Sequence, residues 1–354
     1  MSLAEDAFND PKIAAHGAGL RYCSDDGPGI SRRRAGKGFA YFHPDGKKLR
    51  GKADLARIAH LAIPPAWEDV WISPHADCHL AATGRDVKGR KQYRYNEEFI
   101  RVRDAAKYDH VVRFAAHLPR LRRQVYRDMA LPGLTRERVL ATVVHLLETT
   151  MSRIGNESYA RDNRSYGLTT LHNRHVAVRG DALKFQFLGK SGKTWRFHVE
   201  SRRVAKVIRA CQDLPGQHLF EYRDGEGTVH KIGSTDVNAY LQATIGEDFT
   251  AKDFRTWQGT MEAALALQEF ASAKKQPTKA DVKAALARAA DSLGNTVAIC
   301  RKCYVHPDVI ARYEAGQFAL DLPSHPRKSR SRFALRPEEK AVLKFLRGRK
   351  RRAA

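Results

Sequence analysis

Long apolar runs, acidic residues and paired cysteines are all scarce in this sequence. No stretch approaches the ~18 uninterrupted apolar residues of a membrane helix, so a helical span is not expected. Met1 to Asp10 carries neither the basic region nor the apolar core of a secretory leader, and a cytoplasmic location is expected. Asp and Glu total 39 against 63 Lys and Arg, a formal net charge of +24 over 354 residues. Such a surplus favours a polyanionic partner, nucleic acid first. Composition alone leaves open a merely soluble basic protein or a ribosome-associated one. The five cysteines, Cys23, Cys78, Cys211, Cys300 and Cys303, form neither an even disulfide framework nor a paired zinc pattern. Cys300-Arg-Lys-Cys303 is a lone CxxC where a structural zinc needs four ligands. All five are expected to be reduced thiols.

The sequence also lacks the signatures of several chemistries. There is no HExxH, no paired-Asp motif and no Cys/His cluster despite 15 histidines. A Walker A cradle and a Gly-x-Ser-x-Gly elbow are missing. Neither metal nor cofactor is therefore expected. Hydrophobic residues, at 42%, suffice for a real interior, and the length suits two domains.

The first hundred residues read as short strands. Leu20–Cys23, Gly38–Phe42, Val70–Ile72, His79–Ala82 and Lys91–Tyr95 are separated by turns such as Asp26-Gly-Pro-Gly29 and Pro44-Asp-Gly46, with one helix at Leu55–Leu61. After Asn96 the period becomes helical, through Val111, Phe114, Leu118, Leu121, Val125 and Met129. Pro119 is expected to bend or divide that helix. Thr135 is a fair N-cap for a second helix reaching Met151. Strand pattern returns over Leu168–Val178, Leu183–Leu188 and Thr194–Val199. Helices follow at Ser201–Cys211, Thr235–Thr244, Phe254–Ala273 and Asp281–Leu293, the last behind a Thr278-x-x-Asp281 capping box. The boundary near residue 103 is a change of period: 1–103 β-rich, 104–354 mainly helical. The tail from Ser324, rich in Lys and Arg, reads as a solvated charged end, with a phosphate-gripping arm as the alternative.

If such a chain acts on DNA phosphates without metal, it needs a nucleophile, cations for the equatorial oxygens and an acid for the leaving oxygen. Arginine supplies the fork that suits phosphate. The candidates are Arg153 in Thr149-Thr-Met-Ser-Arg-Ile-Gly155, Arg255 in Lys252-Asp-Phe-Arg-Thr-Trp257, Lys190 at a hairpin tip, and Tyr304 as nucleophile. Taken singly each has a plainer reading: a helix-surface cation, a turn lysine, a core aromatic.

Together these residues resemble the poxvirus-like type IB DNA topoisomerases in their bacterial branch, from about Leu20 to about Glu314. The strongest stretches are Thr83-Gly-Arg-Asp-Val-Lys-Gly-Arg-Lys-Gln-Tyr-Arg-Tyr95, Arg153-Ile-Gly-Asn156, Tyr166-Gly-Leu-Thr-Thr-Leu171, Phe187-Leu-Gly-Lys190 and Lys252-Asp-Phe-Arg-Thr256. The resemblance implies an α+β fold: a small N-terminal domain with an antiparallel sheet, and a larger, mainly helical catalytic domain with a three-stranded sheet, tyrosine-recombinase-like. It implies that Tyr304 becomes a 3′-phosphotyrosine, that Arg153 and Arg255 hold the non-bridging oxygens, and that Lys190 protonates the 5′-oxygen with help from Arg153. Duplex DNA would be clamped by a monomer, contacted by Arg85, Lys88, Arg90, Lys91, Gln92, Tyr93 and Tyr95 from one side and by Lys252 on the other. Two departures stand out. Asn295 occupies the place of a frequent His nine residues before the nucleophile, which fits a neutral hydrogen-bond donor and excludes proton transfer. Cys300-Arg-Lys-Cys303 replaces a frequent Ser-Lys.

A tyrosine site-specific recombinase is the nearest rival, although recombinases usually carry His where Lys252 stands. A non-catalytic architectural DNA-binding protein is the rival from another class.

Overall fold

The computed structural model describes residues 10–246, 249–273, 276–323 and 331–348. The chain divides into two compact units, Met1–His110 and Val111–Ala354.

In the first unit, helix α1 (Pro11–Gly17) precedes a five-stranded antiparallel sheet. Its strands are β1 (Ile30–Ala35), β2 (Gly38–Phe42), β3 (Glu68–Ile72), β4 (Leu80–Arg85) and β5 (Lys91–Tyr95), in the order β2-β1-β3-β4-β5. Helix α2 (Lys52–His60) lies between β2 and β3 in sequence. The pairs Ile30↔Ile72, Ile72↔Ala82 and Ala82↔Arg94 place these residues on one sheet face. There Ile30, Ile72 and Ala82 join Leu49, Ile58 and Val70 in a core. The alternate row, Ser31↔Trp71↔Thr83↔Tyr93, therefore faces the other way. Across that second face runs the segment after Cys23: Asp25 accepts from Thr83 at 2.8 Å, and the Trp71 indole donates to the Gly27 carbonyl at 3.0 Å.

Leu20–Cys23 is not a strand but this strap's anchor. A single bridge joins Arg21 to Cys78, and Cys23 is disulfide-bonded to Cys78. The expectation of five reduced thiols is thus corrected for this pair, which a separation of 55 residues hid in the sequence. Cys211, Cys300 and Cys303 are free.

Helix α3 (Glu97–Asp128) runs on through Pro119 without a break, so the expected division there does not occur. The second unit continues with α4 (Arg136–Thr150), capped by Thr135 as expected, and α5 (Glu157–Asn163). Leu168–Val178, expected as strand, is mostly two short 3-10 turns before β6 (Val176–Arg179). The sheet β6-β7-β8 is completed by β7 (Ala182–Leu188) and β8 (Thr194–Glu200). Strand β7 alternates cleanly, burying Leu183, Phe185 and Phe187. Then come α6 (Arg202–Gln212), a small hairpin of β9 (Glu221–Arg223) and β10 (Val229–Lys231), and α7 (Ser234–Ile245). The remaining helices are α8 (Ala251–Ala273), α9 (Lys279–Leu293), α10 (Val297–Cys303), α11 (Pro307–Glu314) and α12 (Pro337–Arg347). No described helix is long and apolar enough to cross a membrane.

Helix α12 corrects the reading of the tail as a solvated end. Ala341, Val342, Leu343, Phe345 and Leu346 are buried in the core of this unit. The tail's other parts, 324–330 and 349–354, lie outside the described residues. One buried guanidinium ties α12 down. Arg122 of α3 donates to Glu148 of α4 at 2.6 Å and to both carboxylate oxygens of Glu339 at 2.7 and 3.0 Å. Removing one partner of such a network strands the other charges in a dry place. Arg122→Ala is therefore expected to cost about 3 kcal/mol, read as a lowered urea midpoint at unchanged m-value; an unchanged midpoint would show that the network does not hold α12.

Candidate active site

Two helices end side by side and set the site. Helix α4 stops at Met151, which is left-handed at φ 55°, and α9 stops at Gly294, left-handed at φ 60°. The last carbonyls of a helix have no partner within it. Here one side chain serves both ends. Arg255 on α8, 3% exposed, donates to the Met151 carbonyl and, at 2.7 Å, to the Leu293 carbonyl. Two residues beyond each capped carbonyl stands another polar side chain, Arg153 and Asn295, and the Arg153 guanidinium donates to the Asn295 amide oxygen.

The loop after Arg153 is locked by backbone contact. The Arg153 carbonyl accepts from Leu168 N–H, and the Ile154 carbonyl accepts from both the N–H and the hydroxyl of Thr169. A Cβ at Gly167 would lie 2.4 Å from Gly155 N and 2.6 Å from the Arg153 carbonyl, so only glycine fits. The Arg153-Ile-Gly155 and Tyr166-Gly-Leu-Thr-Thr170 stretches are thus two halves of one brace.

Tyr304 follows α10, its N–H donating to the Cys300 carbonyl at 2.9 Å. Its carbonyl accepts from the Thr260 hydroxyl at 3.3 Å, and Gly259 permits the approach, since a Cβ there would lie 2.8 Å from that oxygen. The phenol ring sits 5.3 Å from the Arg255 guanidinium. Burial pushes the phenol's pKa up, but the charge of Arg255 and a hydrogen bond from Arg153 outweigh it, leaving Tyr304 below the usual tyrosine value. Burial first, and the like charge of Arg153 second, bring the Arg255 pKa down to about 10.

A cleft of about 280 Å³ is lined by Tyr304, Arg153, Arg255, Lys190, Lys252 and Tyr166 among others. Lys190 and Lys252 are exposed, Lys190 on the turn after β7 and Lys252 in the first turn of α8. The site's two orphan groups are both donors. Arg255 Nε and Asn295 Nδ2 are buried with no hydrogen-bond partner among the described residues. Cations, orphan donors and a phenol of lowered pKa around one cleft make an oxyanion site. A larger cleft, about 740 Å³, is lined by Arg122, Tyr126 and Arg203 among others. Its charges are engaged, Arg122 with two carboxylates and Arg203 against the Tyr126 ring at 3.7 Å. No group of three or more His, Cys, Asp or Glu able to hold a metal is found among the described residues.

The strand residues predicted to touch DNA divide by sheet face. Arg85, Lys91, Tyr93 and Tyr95 share the face away from the core, with the two tyrosine rings stacked at 6.0 Å. Gln92 alternates to the core side and donates to Asp86 at 3.0 Å. Asp86 also binds Arg90 and the backbone N–H of Lys88, and Arg90 holds its pKa down at about 2. Lys91 is paired with Asp25 at 2.6 Å, and Arg85 lies 3.6 Å from Asp69. Lys88 and Arg90 are both exposed on the turn itself, and Arg90 is held there by Asp86.

Sequence reasoning missed Gly259, Thr260 and the carbonyls of Met151 and Leu293, and it quoted Gly167 without assigning it a role. The signal it could have used was a glycine inside an otherwise strong helix. Trp195 was missed as well: its ring fills the space that a Cβ at Gly189 or Gly294 would need.

Comparison with known proteins gives two family matches. Residues 94–321 match a family described as eukaryotic DNA topoisomerase I, catalytic core, and residues 38–86 match bacterial DNA topoisomerase IB, N-terminal domain. The chain is 31% identical over 294 residues to the DNA topoisomerase 1B of Acanthamoeba polyphaga mimivirus, covering 81% of this chain and 88% of that protein. It is 24% identical over 269 residues to the DNA topoisomerase I of Monkeypox virus, covering 75% and 81%. A DNA topoisomerase 1 of Candida albicans is 24% identical over 259 residues, 66% of this chain and 30% of that protein.

Gly259→Ala is expected to cost about 1–3 kcal/mol through overpacking against the Tyr304 backbone. It should also weaken any reaction of Tyr304 far more than substrate binding. Equal losses in both, by single-turnover kinetics and filter binding, would show that Gly259 does not set the position of Tyr304.

Proposed function

The chain belongs to the type IB DNA topoisomerase family, and we propose that it relaxes supercoiled duplex DNA by a tyrosyl transesterification needing neither ATP nor metal. The Tyr304 oxygen attacks a backbone phosphorus as its proton leaves. The phosphorus keeps its 3′-oxygen, forming a 3′-phosphotyrosine, while the 5′-oxygen departs with a proton supplied by Lys190. One phosphodiester is exchanged for another, so the reverse attack of the 5′-hydroxyl reseals the strand without an energy source. Arg153 and Arg255 neutralise the non-bridging oxygens as charge builds, and Asn295 Nδ2 donates to one of them. The observation that carries this reading is the Tyr304 phenol set against Arg255 and Arg153, in the cleft that Lys190 also lines.

In the first unit, Lys88 on the turn and Lys91, Tyr93 and Tyr95 on β5 supply duplex contacts. Arg85, Arg90 and Gln92 chiefly shape the turn that presents them, through their bonds to Gly89 and Asp86. A phosphate that takes Lys91 must displace Asp25. All of these groups lie on a single chain, and we read the active species as a monomer. A recombinase would require a particular site; relaxation of a plasmid without one separates the two readings.

Tyr304→Phe is expected to abolish both relaxation in EDTA and the covalent 3′ adduct, and full activity in that variant would overturn the reading. Arg255→Gln removes the cation that favours the phenolate. The Tyr304 pKa then rises, and the limb of the cleavage pH profile that increases with pH moves to higher pH, with a rate loss of about 10²–10³. A profile left in place would deny that Arg255 acts on the phenol. Binding is expected to fall steeply with salt, its log–log slope being about −0.9 per phosphate contacted; a flat response in a filter-binding titration would remove the duplex contacts.

A further inference from the structure

Two thiols stand in the last turn before the nucleophile, and neither belongs to the machinery above. Cys300 and Cys303 both lie on α10, three residues apart and therefore one turn above each other on the same helix face. Cys300 is fully buried and Cys303 is partly exposed; both are free. The Cys300 carbonyl is the acceptor for the N–H groups of both Tyr304 and Val305. Any change in the backbone at Cys300 is thus passed straight to the phenol.

We propose that Cys303 and Cys300 form a peroxide-responsive pair whose disulfide disables Tyr304. The proposal rests on Tyr304 being the nucleophile. In the first step the Cys303 thiol attacks a peroxide oxygen, becomes a sulfenic acid and releases water or an alcohol. In the second the Cys300 sulfur attacks the Cys303 sulfur, forming the disulfide and expelling water, with two protons and two electrons transferred to the peroxide overall. Cys303 reacts first because it is the accessible one. Burial pushes the Cys300 thiol up to about 11, with Arg255 pulling the other way, so it is not the first to be oxidised, and its place one turn from Cys303 makes it the resolving partner. Helix neighbours three apart hold their Cβ atoms about 5–6 Å apart, whereas a disulfide needs about 3.5–4.5 Å. Closing the bond must therefore contract the turn by about 1–2 Å, and Tyr304, hung from the Cys300 carbonyl, moves with it. A displacement of that size is enough to lose about a hundredfold in a positioned reaction.

The test treats the full chain with hydrogen peroxide, then reads plasmid relaxation and the mass of the peptide carrying residues 300–303. Wild type is expected to lose about a hundredfold in rate while that peptide loses two hydrogens, and a dithiol reductant restores both. Cys303→Ser should relax DNA normally and keep its rate through the peroxide. The same reductant on Cys303→Ser reads any effect of opening Cys23–Cys78 separately. Equal inactivation of Cys303→Ser, or inactivation of wild type with Cys300 and Cys303 still open to alkylation, overturns the proposal. The bond is judged from the peptide whatever the activity, so a chain that relaxes nothing before treatment sinks the functional reading and not the pair.

Discussion

Everything at the site hangs on one buried guanidinium capping two helices at once. Arg255 satisfies the carbonyls of Met151 and Leu293, the ends of α4 and α9, where the helix dipoles turn their negative poles toward it. An ammonium could not span both carbonyls and still face an aromatic ring; the planar fork can. Because each helix is stopped at a fixed residue by a left-handed turn, the next side chains out, Arg153 and Asn295, are placed by the same clamp. Their mutual hydrogen bond closes a ring of polar groups around the phenol of Tyr304. Arg255 is thus structural, and any chemical role it has in the proposed reaction cannot be varied independently of that.

The first unit follows a different logic. Its sheet has one face occupied by the core and one carrying Thr83, Lys91 and Tyr93, over which the Cys23–Gly27 strap is drawn. Three cations of β4, β5 and the turn between them are matched with acids: Lys91 with Asp25, Arg90 with Asp86, Arg85 near Asp69. Exposed pairs of this kind are worth little, on the order of 0–1 kcal/mol each. They order long side chains at small energetic cost, and a phosphate can replace the carboxylate at nearly the same distance. A net charge of +24 favours attraction of a polyanion at range, while the paired acids fix where these particular cations rest.

The sequence made some of this legible and concealed the rest for physical reasons. Strand β5 was read at its true bounds because its alternation is undiluted, and α9 was placed by the reciprocal bonds of Thr278 and Asp281. The candidate side chains were named from what phosphate chemistry demands, and Tyr304, Arg153, Arg255 and Lys190 line one cleft. What could not be named were main-chain partners: a carbonyl carries no sequence letter, so the capping role of Arg255 was invisible. Leu168–Val178 looks like a strand because its apolar residues are buried, yet its backbone bonds go to Arg153 and Ile154. Pro119 was expected to break α3 on local grounds. A long helix with buried Phe114, Leu118 and Leu121 on one side holds its course through one missing N–H. The charges of the last thirty residues masked the apolar set that docks α12. The Cys23–Cys78 pair needed a fold to bring it together.

The unpartnered donors bear on how such a site is maintained. Arg255 Nε and Asn295 Nδ2 are buried without acceptors among the described residues, and each such group costs about 1–3 kcal/mol relative to a bonded one. Two like-charged guanidiniums, close enough for Arg153 to help bring the Arg255 pKa down to about 10, add to that cost. None of this favours the fold, and the surrounding core must carry it. An anionic oxygen placed in the cleft, which Arg153 and Arg255 both line, would turn the repulsion between them into shared attraction. That attraction grows as negative charge accumulates on the oxygen, so in the proposed reaction it would be greater for a pentacoordinate phosphorane than for the diester before attack. In the proposed reaction a cation-rich ring of this kind would discriminate between ground state and transition state, because the protein has already borne the cost of orienting it.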